Sequence, residues 1–267
     1  MSAKKYTHLF FDLDNTIWDF NSNSFEALRI ALDKLGLLKS IGSYETFYAI
    51  YSEENDRVWE LYRNNLITKK VLRAERFEAS FRRNRTPLDF IGGEVINDSY
   101  LEAMTDQTKL IEGATKVLDY LYNKYKIAII TNGFKEVQYD KIRKSNLSGY
   151  FSKVFVSEEI GSPKPDKKIF EHALKSMNAP KKSTLMIGDS WEADIKGAIN
   201  IGIDQIYFNP EMQQFEREGT IAKNKTHEKD TFLKYTPSFS ALEPINIHNK
   251  KVQTTVITHL EQLLIIL

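Results

Sequence analysis

The chain has 267 residues, 42% of them hydrophobic and 27% charged, and a formal net charge of +1. That is the balance of a soluble globular protein long enough for one large or two ordinary domains, and near-neutrality argues against nucleic acid or an anionic membrane as a bulk partner. No run approaches the ~20 apolar residues that span a bilayer, and the absence of cysteine excludes disulfides, thiolate metal sites and cysteine nucleophiles. Met1-Ser2-Ala3-Lys4-Lys5 is basic, but the apolar run after it is broken at Asp12, unlike a secretory signal, so a cytoplasmic protein is expected.

Residues 8–13 read as a first strand, and that strand runs into two carboxylates, Asp12 and Asp14. Side chains at i and i+2 of an extended chain share a face. Two like charges so close repel unless one is protonated or a cation lies between them, which points to a metal site or to an acid/nucleophile pair. From residue 17 to residue 109 only helical periods follow. Phe25, Leu28, Leu32 and Leu35 form a stripe ended by Gly36, and Phe47, Ile50, Tyr51, Val58 and Leu61 form another. Thr68 can cap a third helix, and Thr86-Pro87 has the cap-then-proline form that opens a fourth.

The second half alternates. Strand-like runs at 127–131, 153–157, 183–187 and 203–208 are separated by amphipathic segments carrying Ala114, Val117, Leu118 and Leu121, then Ile169, Phe170, Ala173, Leu174 and Met177, then Trp191, Ile195 and Ala198. Such alternation predicts an α/β fold, a parallel sheet covered by helices on both faces. The expected division is therefore a discontinuous α/β core, residues 1–16 and 110–267, with a helical-bundle cap domain inserted at 17–109. Residues 210–250 are too long for an ordinary connection and are expected to be an extra insertion in the core. Thr258-His259-Leu260-Glu261 has the form of a capping box before a closing helix.

Four polar clusters carry chemistry. Phe11-Asp12-Leu13-Asp14-Asn15-Thr16 opens like a calcium loop, but the pattern needs Gly sixth and Glu twelfth, where this chain has Ile17 and Asn23. The other clusters are Thr131-Asn132-Gly133, Lys164 within Gly161-Ser162-Pro163-Lys164-Pro165, and Gly188-Asp189-Ser190 with Asp194 following. Each alone has an ordinary explanation: a strand-ending turn, a surface lysine, a helix cap. Open parallel sheets, however, bind ligands outside the carboxyl ends of their strands, and Asp12, Thr131 and Asp189 all fall at such ends.

In their order along the chain these clusters resemble the four motifs of the haloacid dehalogenase (HAD) superfamily, and the helical insertion resembles the cap of its phosphoglycolate-phosphatase-like branch. Phe11–Phe20, Ile67-Thr68-Lys69, Arg76-Phe77 and Thr131-Asn132-Gly133-Phe134 are similar to the pyrimidine 5'-nucleotidases of the YjjG type. The resemblance implies a Rossmann-like core and a Mg²⁺-dependent phosphomonoester hydrolase acting on a small phosphorylated metabolite, here a nucleoside monophosphate. It implies that Asp12 is the nucleophile that forms an aspartyl-phosphate, and that Asp14 is the acid and base. Mg²⁺ is then expected on the carboxylates of Asp12 and Asp189 and the backbone carbonyl of Asp14, with Asp194 supporting the metal shell or Lys164. Thr131, the Asn132 amide and Lys164 are expected to hold the phosphoryl oxygens. Dehalogenases need no acid two residues after the nucleophile, so Asp14 favours a phosphatase or phosphomutase. The cap would select the leaving group, and other metabolite phosphatases, acting on a sugar phosphate or an acylneuraminate 9-phosphate, share the same core motifs. A phosphomutase, or a non-catalytic binding protein on the same scaffold, is a further alternative.

Outside the motifs, Arg73, Arg76, Arg82, Arg83 and Arg85 make the expected cap locally basic, usually the sign of a solvated helix face; by resemblance Arg76 is the substrate contact among them. Trp18 and Phe20, next to the catalytic loop, could stack on a nucleobase, whereas Trp59 reads as core. The five histidines show no zinc spacing. A monomer or homodimer with neither nucleic-acid nor membrane partner is expected.

Overall fold

The computed structural model describes residues 5–88, 91–212, 245–249 and 252–267. The chain divides into two compact units. One takes its described residues from Met1–Ile17, Ile111–Asn132 and Gly149–Leu267, the other from Trp18–Leu110 and Gly133–Ser148. The strands are β1 (His8–Phe11), β2 (Lys126–Thr131), β3 (Lys153–Val156), β4 (Thr184–Gly188), β5 (Asp204–Phe208), β6 (Ile245–Asn249) and β7 (Val252–Ile257). The helices are α1 (Phe20–Lys34), α2 (Tyr44–Arg63), α3 (Lys69–Arg83), α4 (Gly93–Thr105), α5 (Ala114–Leu121), α6 (Lys135–Lys144), α7 (Ser157–Ile160), α8 (Lys167–Met177), α9 (Lys196–Ile201) and α10 (Leu263–Ile266).

Among the described residues all seven strands belong to the first unit, in one sheet of order β3-β2-β1-β4-β5-β7-β6. Every pairing is parallel except β6 with β7. Strands buried on both faces carry unbroken apolar runs, and Leu9, Phe10 and Phe11 of β1 are fully buried at the centre of the sheet. On one face Phe10, Ala128, Ile130 and Met186 pack against Ile169, Phe170 and Ala173 of α8 and Ala198 of α9. Burying each large apolar side chain contributes about 1.5–3 kcal/mol. This layer therefore fixes β1, β2 and β4 side by side, and with them the segments that leave their carboxyl ends.

The carboxy-terminal part departs from the sequence expectation. β6 lies within the expected 210–250 insertion, so part of that segment belongs to the sheet; residues 213–244 lie outside the described residues. β7 escapes a search for apolar runs because Thr254 and Thr255 occupy buried positions in it. Thr254 Oγ1 donates to Oε1 of the equally buried Gln205 on β5 at 2.6 Å, so a polar pair does here what an apolar contact does elsewhere. The closing segment is a 3₁₀ turn (Leu260–Gln262) running into the short α10. Its entry is capped by Gln262 rather than by Thr258 with Glu261: Oε1 of Gln262 accepts from the backbone N–H of Thr258 (2.7 Å) and of His259 (3.0 Å).

The second unit is helical. Asp19, Ser43 and Thr68 cap α1, α2 and α3, each side chain accepting from the N–H three residues on. The fourth helix starts at Gly93, later than Thr86-Pro87 implies. A Cβ at Gly93 would stand 2.3 Å from the Ala74 carbonyl oxygen, so only glycine allows α4 to approach α3 this closely, and the start of the helix is set by packing. Helix α6 also belongs to this unit, unlike in a division drawn at residues 17 and 109. Phe134, at its amino end, packs on Trp59 with ring centroids 5.0 Å apart, and Lys69 Nζ lies 4.2 Å from the same ring.

Candidate active site

Asp12 follows directly on β1, and its N–H donates to the Ile187 carbonyl of β4 at 2.9 Å. Thr131 ends β2, and Asp189 follows β4. The parallel register therefore sets three motif segments along one end of the sheet. Lys164 reaches into them from the loop before α8. Its ammonium is only 2% exposed and donates to Asp12 Oδ1 (2.7 Å) and to Asp194 Oδ1 (2.6 Å). A buried charge is tolerated only when paired and hydrogen-bonded, and two carboxylates meet that condition for Lys164.

The loop after β4 is folded tightly round Asp194. Its Oδ2 accepts from the Ser190 N–H at 3.0 Å, and the Ser190 hydroxyl accepts from the Ala193 N–H at 3.2 Å. A π turn (Trp191–Ile195) results, and Gly188 is required beside it: a Cβ there would lie 2.3 Å from Asp194 Oδ2. Asp189 is oriented by Thr16, whose fully buried hydroxyl donates to Asp189 Oδ1 at 2.9 Å. Thr16 received no role from the sequence, although its place in the Asp-x-Asp-x-Thr cluster was the available signal.

Carboxylate oxygens of Asp12, Asp189 and Asp194 lie within 4.8 Å of one another. Three acids around one lysine leave an excess of negative charge. Burial pushes Asp12 well above the usual carboxylate range against the pull of Lys164, with Asp194, Asp189 and Asp14 adding to the rise. Burial, reinforced by Asp194, pushes Asp189 up to about 7. Burial disfavours the Lys164 ammonium, but Asp12 and Asp194 outweigh it and hold its pKa above the ordinary lysine value. Crowded hard oxygen donors with raised affinity for protons are the donor set that suits a small divalent cation.

Residues 6–202 match the family of haloacid dehalogenase-like hydrolases. The chain belongs to that family. It is 32% identical to pyrimidine 5'-nucleotidase YjjG of Escherichia coli (strain K12) over 86% of this chain and 98% of that one. It is likewise 32% identical to pyrimidine 5'-nucleotidase PynA of Streptococcus pneumoniae, over 77% and 84%. Among solved structures, HAD-hydrolase YfnB of Bacillus subtilis, determined with bound magnesium, aligns with a TM-score of 0.72 at 30% identity, covering 78% of this chain and 91% of that one. Among the described residues no helix is long and apolar enough to cross a membrane.

The other expected site residues of this hydrolase have the following surroundings. The Asn132 amide, expected on phosphoryl oxygens, is engaged with the backbone of Lys164: Nδ2 donates to the Lys164 carbonyl (3.0 Å) and Oδ1 accepts from the Lys164 N–H (2.8 Å). It positions the lysine. The acidic triad contains Asp194, which the resemblance assigns a supporting part, and does not include the Asp14 carboxylate. Trp18 is fully buried in the helical unit, its indole N–H on Ser145 Oγ and its ring 4.3 Å from Lys141 Nζ. Phe20 is half-buried beside the same lysine. Arg76 is 3% exposed, with its guanidinium donating to Asn55 Oδ1 and Asn97 Oδ1 and stacked on Phe77 and Tyr100.

The acid cluster has a measurable consequence. Without a bound ion, Asp12 and Asp189 bind protons more tightly folded than unfolded. Their contribution to stability is complete below about pH 4 and falls as pH rises, that of Asp189 being lost as pH passes about 7. Carboxylates with lowered pKa, such as Asp204 and Glu136, act oppositely but have titrated by about pH 5. The lowered pKa of His8 also opposes the trend, yet it cancels when one preparation is compared with and without ion. The gain in Tm on adding Mg²⁺ is therefore expected to grow by a few °C between about pH 5 and pH 7.5. A gain independent of pH in thermal melts would contradict this reading of the cluster.

Proposed function

We propose that this chain is a Mg²⁺-dependent phosphomonoester hydrolase that works through an aspartyl-phosphate on Asp12, and that its substrates are pyrimidine nucleoside 5'-monophosphates. The observation that carries the reading is the environment of Asp12. Its carboxylate stands at the end of the central strand, fixed by Lys164, with a second acid two residues on and two further carboxylates within reach of one cation. The two relatives named as pyrimidine 5'-nucleotidases supply the substrate class.

In this reading Asp12 attacks phosphorus, a P–O bond forms to its carboxylate, and the bond to the leaving oxygen breaks. Asp14 gives that oxygen a proton. It then takes one from the water that attacks the phosphorus of the aspartyl-phosphate, restoring the Asp12 carboxylate and releasing inorganic phosphate. Lys164 and the Thr131 hydroxyl stabilise the phosphoryl oxygens as charge shifts among them. Asp12 and Asp189, with Asp194 beside them, would hold the ion, which when bound offsets the repulsion between an anionic nucleophile and an anionic ester.

A second reading has support in a glyceraldehyde 3-phosphate phosphatase of Methanothermobacter thermautotrophicus, 28% identical over 79% of this chain. It keeps the core chemistry and changes only the leaving group. The test is inorganic phosphate release from a panel of phosphomonoesters with Mg²⁺ and with excess EDTA. The highest kcat/KM is expected for pyrimidine 5'-monophosphates, with loss of nearly all turnover in EDTA. A preference for a triose or other sugar phosphate would move the protein to the second reading. Full turnover in EDTA, or no phosphate from any ester, would overturn the proposal.

A further inference from the structure

The π turn that carries Asp194 meets the neighbouring strand β5 through an aromatic pair. Trp191, two residues after Asp189, packs edge-to-face on Tyr207 of β5, with ring centroids 5.5 Å apart and planes at 66°. Tyr207 is the register partner of Gly188, the residue pressed against the Asp194 carboxylate, so the strand beneath the acidic loop is the one that presents this ring. The ring is itself braced. Asn209 Nδ2 donates to the Tyr207 hydroxyl at 3.3 Å, the Asn209 backbone N–H donates to the Ile257 carbonyl of β7 at 2.8 Å, and Asn209 Oδ1 accepts from the Glu211 N–H at 3.2 Å. A continuous line of contacts thus runs from β7 through Asn209, Tyr207 and Trp191 to the loop that bears Asp189 and Asp194. Apart from Trp191, every member of that line lies beyond residue 202, where the family match ends.

We infer that Trp191 and Tyr207 are positioning residues for the divalent ion, holding the Asp189–Asp194 loop in the conformation that brings its carboxylates to Asp12. The inference rests on the divalent-ion part of the proposed function. Neither ring is a ligand. Each acts by limiting the positions open to the loop, so that fewer conformations must be given up when an ion binds. Hydrogen bonds within the loop shape the π turn, and the aromatic pair ties that shape to the sheet. Loss of one ring leaves the carboxylates in place chemically but lets the turn move relative to Asp12.

The test is ion uptake without substrate, using Mn²⁺ as the probe and reading the free ion by electron paramagnetic resonance, with thermal melts to confirm folding. Trp191→Ala is expected to weaken Mn²⁺ binding about tenfold, the low end of the range for residues that support metal ligands from outside. Trp191→Phe, which keeps an edge for Tyr207, is expected to return affinity to within about threefold of wild type. A purely structural role would lower Tm in both variants without this difference in affinity. Should Trp191→Ala fail to fold, Tyr207→Ala removes the other half of the pair and carries the same expectation. Wild-type affinity in either alanine variant would overturn the inference, as would a phenylalanine variant as weak as the alanine one. Wild-type protein that takes up no Mn²⁺ would overturn the divalent-ion reading itself, an outcome distinct from uptake that the variants leave unchanged.

Discussion

Asp12→Asn is expected to lower turnover by about 10⁴-fold or more while leaving the protein folded. The amide has nearly the size of the carboxylate but cannot form an acyl phosphate, so the covalent route closes. Stability is not expected to fall with it. Lys164 keeps its 2.6 Å contact with Asp194, and one of several crowded, desolvated carboxylates is removed. Steady-state kinetics and a thermal melt on the same preparation check both parts. Wild-type-like turnover would remove Asp12 from the role of nucleophile, and a large drop in Tm would show that the residue is chiefly structural.

Asp14→Asn is expected to separate the two chemical steps. With Asp12 unchanged, phosphoryl transfer to the enzyme remains possible, but the proton for the leaving oxygen and the base for water are gone, typically a ~10²–10⁴-fold loss. A nitrophenolate leaves without protonation, so the first step with nitrophenyl phosphate should be partly rescued. A nucleoside 5'-alkoxide is a poor leaving group, and its release should not be rescued. Single-turnover release of nitrophenol and of nucleoside by the same variant measures the difference. Equal losses for the two esters would mean that Asp14 is not the acid.

These carboxylates were legible in the sequence because their chemistry restricts both residue type and place: acids where a strand ends, two residues apart, cannot be exchanged for apolar residues of similar size. The α/β alternation was legible for the related reason that strands covered on both faces must be apolar throughout. What stayed hidden involves polar side chains in apolar places. β7 reads as half-polar because Thr254 bonds to a buried Gln205, and no periodicity rule anticipates that pair. Arg76 belongs to a basic run that reads as a solvated helix face, yet it lies buried against aromatic rings whose approach depends on tertiary packing. The same packing leaves Trp18, a candidate base-stacking residue by its place in the sequence, fully buried. Asn132 shows a different limit. Its position beside the phosphate-binding turn was readable, but its bonds to both backbone groups of Lys164 depend on a loop folded from 32 residues further along the chain.

If Asp12 itself receives the phosphoryl group, phosphate must be found on it. Asp14→Asn, supplied with nitrophenyl phosphate and Mg²⁺ and quenched in acid during the first turnover, should accumulate the intermediate that it forms but cannot hydrolyse. Peptide mass spectrometry is expected to find phosphate on the peptide containing Asp12 and to lose it after treatment with hydroxylamine, as an acyl phosphate does. Nitrophenol release with no phosphate on the protein, or phosphate on a residue other than Asp12, would contradict the account.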